Sequence, residues 1–250
     1  MKFIRAGEPK VQIVGQTGAY GLTMEHWAET QGHPSFQFDS ATEADAITEF
    51  GGRVCYMSFT DMRPPEPGLT RNETYIKNII KVGHGSVLEH VSWNFIISGV
   101  DRNLTHELVR HRAGVAYSQL STRYAPPDTL VVPARIFDAG GEELAGWLAR
   151  AKAQFDAYKD MMGNEKKKDL REDAMAQLPG SIETKLLFTA NARALRHIMY
   201  MRGSLGAKKD IRALAVKLFD LVGHHKVFGG IWKREDPEKG FHLVVDNPKV

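Results

Sequence analysis

A chain of 250 residues, 42% hydrophobic and 25% charged, is long enough to bury a sizeable core. Thirty-three Lys and Arg against 30 Asp and Glu leave a net charge of +3, which argues against a general nucleic-acid binder but allows a local anion site. The sequence has no run of roughly 18 apolar residues for a membrane span, no apolar stretch behind Met1-Lys2-Phe3-Ile4-Arg5, and one cysteine, Cys55, too few for a disulfide framework or a multi-cysteine zinc site. A cytoplasmic protein that binds neither membrane nor nucleic acid is expected.

Residues 1–38 mix Gly, Pro and aromatics around one apolar run, Val11–Val14, and read as an N-terminal extension. From Ser40 the pattern turns helical. Ser40 can cap, Glu43 follows three residues later, and Ala44, Ile47, Phe50, Val54 and Cys55 recur at helical spacing. Cys55 is therefore expected as a small core residue on an apolar face. Pro64-Pro65-Glu66-Pro67-Gly68 is a loop, and Asn72 to about Val82 a short helix stopped by Gly83 and Gly85. Val91, Trp93, Phe95 and Ile97 alternate as a strand with one buried face.

Residues 102–112 return to helical spacing, and Leu130–Pro133 is short and extended. An amphipathic helix is expected over 141–162, then a solvated turn or helix edge at Lys166-Lys167-Lys168 and a helix stopping near Pro179. Thr184–Thr189 reads as a strand or buried extended run. Asn191 is a good cap for a helix to about Arg202, and another helix spans about 207–222. Residues 233–250 read as a polar tail with a possible strand at Phe241–Val245. With no linker that forces a second domain, 1–250 reads as one helix-dominated α+β domain.

Three segments carry chemistry. Arg110-His111-Arg112, followed by Tyr117-Ser118-Gln119-Leu120-Ser121-Thr122-Arg123-Tyr124, concentrates guanidinium forks, hydroxyls and an amide. At about 100° per helical residue, the first three fan around a helix end. They suit either solvent or anionic ligands shared between neighbouring sites or subunits. Asn191-Ala192-Arg193-Ala194-Leu195-Arg196-His197 sets Arg193 and His197 one turn apart, and the run closes at Arg202. His84-Gly85-Ser86-Val87-Leu88-Glu89-His90 lies between a helix and a strand, and its histidine spacing matches no usual zinc pattern.

Together the three segments resemble the flavin-dependent thymidylate synthases. That family carries Arg-His-Arg, seven residues, then Ser and usually Arg-Tyr; here Arg110-His111-Arg112 precede Ser121-Thr122-Arg123-Tyr124. Its His-x-(Ser/Thr)-x-x-Glu-His element matches His84, Ser86, Glu89 and His90. Its Asn-x-Arg-x-Leu-x-(Asn/His) helix, ending in Arg, matches Asn191, Arg193, Leu195, His197 and Arg202. The resemblance spans roughly residues 40–225. It implies a helix-rich α+β fold with a small, mainly antiparallel sheet, and a homotetramer with active sites shared between subunits.

The implied reaction transfers a carbon from methylenetetrahydrofolate to C5 of dUMP, with NADPH reducing bound FAD and the flavin returning hydride to give dTMP. No thiol nucleophile is required. The resemblance assigns Ser86, Arg110, His111, Arg112, Gln119, Asn191, Arg193 and His197 to FAD. It assigns Arg110, Gln119, Leu120, Ser121, Thr122, Arg123 and Arg202 to the nucleotide, with Arg202 as the activating residue.

Three departures stand out. Eight residues, Ala113 to Leu120, separate Arg112 from Ser121, through either a bulge or a register shift that would displace Gln119. Glu107 stands where the family has Gln near the nucleotide, and Met175 where it commonly has Arg. A carboxylate at 107 could accept from a cytosine amine, so dCMP or a ribonucleotide is an alternative substrate, unless both residues point elsewhere. A non-enzymatic nucleotide- or RNA-binding protein is the reading from another class.

Overall fold

The computed structural model describes residues 1–60, 64–163 and 168–250. In chain order the elements are β1 (Lys2–Arg5), β2 (Lys10–Gln16), α1 (Gly21–Thr30), α2 (Glu43–Tyr56), α3 (Arg71–Val82), β3 (Ser92–Asp101), α4 (Arg102–Leu108), β4 (Val115–Gln119) and β5 (Thr129–Val132). There follow α5 (Ala134–Ala139), α6 (Gly141–Met162), α7 (Lys168–Ala174), β6 (Glu183–Asn191), α8 (Ala192–Gly203), α9 (Lys209–Val222), β7 (Ile231–Asp236) and β8 (Gly240–Val245). The expected lysine turn falls outside the described residues except for the backbone of Lys168. Among the described residues no helix is long and apolar enough to cross a membrane.

The sheet that positions everything else is antiparallel, in the order β2-β3-β6-β4. Alternation along β3 and β6 turns Trp93, Phe95, Ile97, Leu186 and Phe188 to one face, each at most 1% exposed. Phe188 stacks between Phe95 and Tyr117, with ring centroids 6.2 and 5.3 Å away. Against this face pack Leu195, Ile198 and Met199 of α8 and Ile211, Leu214 and Leu218 of α9, forming the main core. Two short sheets complete the chain: the parallel pair β1-β5 and the antiparallel hairpin β7-β8.

Local chemistry moves several expected boundaries. The α2 cap is Thr42, not Ser40, because Thr42 Oγ1 accepts from Asp45 N at 3.2 Å. Thr70 and Glu73 form a complete capping box on α3. The helix expected over 102–112 ends at Leu108. The extension 1–38 contributes β2 to the main sheet. Residues 233–250 are not simply polar: Leu243 and Val250 are each 3% exposed, and Leu243 fits where a Cβ at Gly203 would stand 2.8 Å away.

Cys55 is exposed, contrary to the apolar face expected for it. The inward side of α2 carries Ala44, Ile47 and Phe50 against the core as expected, but beside them a polar stripe of Asp45, Thr48, Glu49 and Arg53. Glu49 Oε1 accepts from Arg53 Nε at 2.7 Å, and Glu49 Oε2 from Asn72 Nδ2 at 2.6 Å. The Arg53 guanidinium lies 4.6 Å from the Tyr75 ring and 5.2 Å from that of Phe36. The helix thus turns a buried ion pair inward and leaves Val54, Cys55 and Tyr56 outside.

Glu49→Ala strands the Arg53 charge in the interior. Breaking a buried pair on one side costs about 3 kcal/mol or more, so the urea midpoint of Glu49→Ala should fall sharply, whereas Glu43→Ala in the first turn of α2 should change it little.

Candidate active site

The site is assembled from the turn after α4 and from α8. Asp101 caps α4, its Oδ1 accepting from Leu104 N at 2.7 Å. The helix ends four residues before Arg112, so the Arg-His-Arg run lies on an irregular turn rather than fanning from a continuing helix. The Tyr117 hydroxyl pins that turn, 2.9 Å from both the Leu108 and His111 carbonyls. Burial pushes its pKa up to about 12, which keeps it a donor.

The turn is bolted to α8. Asn191 caps α8 by accepting from Ala194 N at 2.8 Å, and its backbone N donates to the Gly114 carbonyl at 2.9 Å. Gly114 has φ +70°, and a Cβ there would stand 2.4 Å from the Asn191 amide nitrogen, so the junction requires glycine. From Val115 to Gln119 the ladder with β6 runs without a slip, and Leu120 N continues it to Lys185 O. Within this chain β4 therefore pairs with β6 without a bulge.

Arg202, in the last turn of α8, reaches back to this turn. Its Nε donates to His111 Nε2 at 3.0 Å, and its terminal nitrogens lie 3.4 Å from Glu107 Oε2 and from the Glu107 carbonyl. Accepting at Nε2 requires His111 to be neutral there, and the ring meets His197 edge-on at 5.4 Å. Burial, then the charges of Arg202, His197 and Arg110, push His111 down to about 4.

Beside this cluster lies a cavity of about 520 Å³ lined by Arg110, His111, Arg112, Asn191, Arg193 and His197, with Glu89 and Pro248–Val250. Arg193 Nη1 donates to Glu89 Oε1 at 2.5 Å. Among the described residues neither Arg110 nor Arg112 has an ion-pair partner, so both charges are available to an anion. Ser86 lines an adjoining cavity of about 310 Å³ with Cys55, Tyr56, His84 and Arg193, which is shared between the two.

The remaining expected residues are elsewhere within the chain. Gln119 turns inward, its Nε2 donating to Thr105 and Thr184 hydroxyls at 3.0 and 3.1 Å. Leu120, Ser121, Thr122 and Arg123 do not line the cavity. Arg123 pairs with Glu172, and the Thr122 hydroxyl lies 3.4 Å from Met175 Sδ. Arg171 Nη1 donates to the Arg123 and Tyr124 carbonyls, each at 3.0 Å. Sequence reasoning missed Arg171, Glu172 and the Pro248–Val250 wall; none belongs to a recognisable motif, whereas Glu89 stood inside one.

The family model "Thymidylate synthase complementing protein" matches residues 38–225. A flavin-dependent thymidylate synthase of Mycolicibacterium gilvum is 41% identical over 194 residues, covering 71% of this chain and 76% of that protein. One from Mycobacterium sp. (strain JLS) is 42% identical over 190 residues, covering 68% and 72%.

The chain belongs to the flavin-dependent thymidylate synthase family. Solved structures share its α+β fold. The UMP/dUMP methylase PolB from Streptomyces cacaoi, bound with 5-Br UMP, superposes with TM-score 0.66 at 18% identity, covering 91% of this chain and 94% of that one. Thymidylate synthase X from Helicobacter pylori, with FAD and dUMP, gives 0.60 at 22%, covering 88% and 97%.

The depressed pKa of His111 has a stability consequence. The unfolded imidazole takes up its proton as pH falls through 6.5, while the folded one resists until about 4. Stability is therefore unaffected by this group above 6.5 and falls progressively below it. His111→Gln should flatten the decline of Tm between pH 6.5 and 4.5, and long-range 15N NMR should find His111 neutral at pH 5.5.

Proposed function

We propose that the cavity between the Arg110–Gly114 turn and α8 holds FAD, and that Arg202 activates the dUMP bound beside it. As a member of its family the chain is an FAD-dependent methyltransferase that converts dUMP to dTMP. The observation that carries the residue assignment is the Arg202 guanidinium, fixed by Glu107 and by His111, which itself lines the cation-rich cavity.

The residues suit the cofactor. Arg110 and Arg112, unpaired among the described residues, offer guanidinium forks to a diphosphate. The cavity volume lies within the usual range for such ligands. Gly85 leaves open a place where a Cβ would stand 3.1 Å from Arg193 Nε. Asn191 and His197 supply hydrogen-bonding groups on the same wall. Bound flavin supplies the hydride, with NADPH as its reductant and methylenetetrahydrofolate as carbon donor.

The chain's own part is binding and polarisation. Arg202 cannot rotate without losing His111 and Glu107, so its positive charge is oriented before substrate arrives. That charge stabilises the pyrimidine as N3 loses its proton and C5 becomes nucleophilic. Neutral His111 orients the guanidinium without opposing its charge. Glu107 Oε2 is already directed at Arg202, so it is not held in reserve for a cytosine amine, and the geometry favours dUMP over dCMP.

A shared active site accounts for the segment that lies away from the cavity. Ser121, Thr122 and Arg123 would serve the cavity of a neighbouring subunit, with Arg123 and Ser121 on the 5′-phosphate, in a homotetramer. Ile96 and Leu187, paired across β3 and β6 on the outer face of the sheet and 37% and 38% exposed, supply apolar surface for such contact. We place the enzyme in the cytoplasm.

Three outcomes check this reading. The purified chain should be yellow, and Arg193→Ala should lose flavin at limiting FAD; full occupancy would remove Arg193 from the cavity assignment. Oxidation of pre-reduced enzyme by methylenetetrahydrofolate and dUMP should slow roughly a hundredfold in Arg202→Ala, about 3 kcal/mol, with incomplete rescue by Arg202→Lys. Cys55→Ala should turn over like wild type, since no thiol takes part.

A further inference from the structure

One wall of the cavity lies outside the residues matched by the family model, which end at 225. Pro248, Lys249 and Val250 form it. The segment is anchored at each step. Asp246 N donates to the Gly230 carbonyl at 2.9 Å. Asn247 Nδ2 donates to the Ile80 carbonyl near the end of α3 at 2.8 Å, and Lys249 N returns to Asn247 Oδ1 at 3.2 Å. Val250 is 3% exposed within the main core, and its Cα lies 3.5 Å from where a Cβ at Gly85 would stand.

The deepest anchor is Arg196, 1% exposed on α8. Its Nε donates to the Val250 carbonyl at 3.4 Å, while Nη1 donates to the Val227 and Gly229 carbonyls at 3.0 and 2.9 Å. The helix that carries Arg193 and His197 on its cavity side therefore grips the segment from its buried side. Lys249 is exposed at the cavity and has no carboxylate partner among the described residues.

We propose that Asp246–Val250 is a positioning element of the flavin site: docked by Asn247 and Arg196, it closes one wall of the cavity and adds Lys249 as a further cation for the flavin diphosphate. The inference rests on the flavin reading of that cavity. A ligand that contacts only the docked segment must favour docking, and undocking must weaken the ligand by the same factor. Lys249 would act as a mobile point charge beside the fixed guanidinium forks of Arg110 and Arg112.

The test is a titration of the flavin-free 250-residue chain with FAD, followed by flavin fluorescence, alongside hydrogen exchange of residues 246–250 with and without FAD. Removing residues 247–250 should weaken binding about tenfold. Asn247→Ala should weaken it by a smaller factor, and Lys249→Gln about threefold, with Lys249→Arg restoring it. Exchange in the segment should slow when FAD is bound. If the deletion does not fold, the two point positions decide. Wild-type affinity in Asn247→Ala and Lys249→Gln, or exchange indifferent to FAD, would overturn the role of the segment and leave the cavity assignment standing. Failure of the wild-type chain to bind FAD would overturn both.

Discussion

The arrangement depends on the junction between the turn after α4 and the two ends of α8. At the start of the helix, Asn191 is at once its cap, a ladder residue of β6 and the donor to Gly114. At its far end, Arg202 folds back onto His111 and Glu107. Two contacts separated by the length of one helix, with the Tyr117 hydroxyl between them, hold a six-residue irregular segment. Because Gly114 passes within 2.4 Å (measured from an added Cβ) of Asn191, there is no slack in this junction for a side chain.

In the role proposed for Arg202, this rigidity serves electrostatics. A guanidinium that must stabilise charge developing on a substrate is most effective when no reorganisation is needed at the moment of reaction. Arg202 is satisfied on two edges by partners of different kinds, a neutral imidazole nitrogen and a carboxylate. The carboxylate balances its charge, while the imidazole orients it. The same crowding of cations accounts for the reluctance of His111 to ionise.

A second polar network supports the first from behind. Glu49, Arg53 and Asn72 fasten α2 to α3, and α3 presents the Ile80 carbonyl to Asn247. Buried charge of this kind contributes little net stability while it is paired, and costs much when one partner is removed. The cavity wall built by Pro248–Val250 is anchored to α3, which these paired groups hold against α2.

Much of the local structure was legible in the residues themselves. The alternation Trp93-Phe95-Ile97, the Asn191 cap and the amphipathic spacing of α6 and α9 depend on period and capping chemistry, which act over a few residues. The motifs also supplied Glu89, Arg110–Arg112, Asn191, Arg193 and His197, which gather at the cavity, but not the stretch Gln119–Arg123, which does not. Tertiary structure decided the rest, because long-range pairing leaves no periodic trace. Cys55 is outside because Glu49 and Arg53 find partners on α3 and the N-terminal segment, an exchange no helical wheel contains. Arg110–Arg112 leave the helix where Tyr117, on the following strand, holds the His111 and Leu108 carbonyls. Gln119 turns away from the cavity because two threonine hydroxyls, one from α4 and one from β6, meet its amide inside the sheet. Pro248–Val250 reach the cavity because Asn247 and Arg196 hold them there, across 167 and 54 residues of chain.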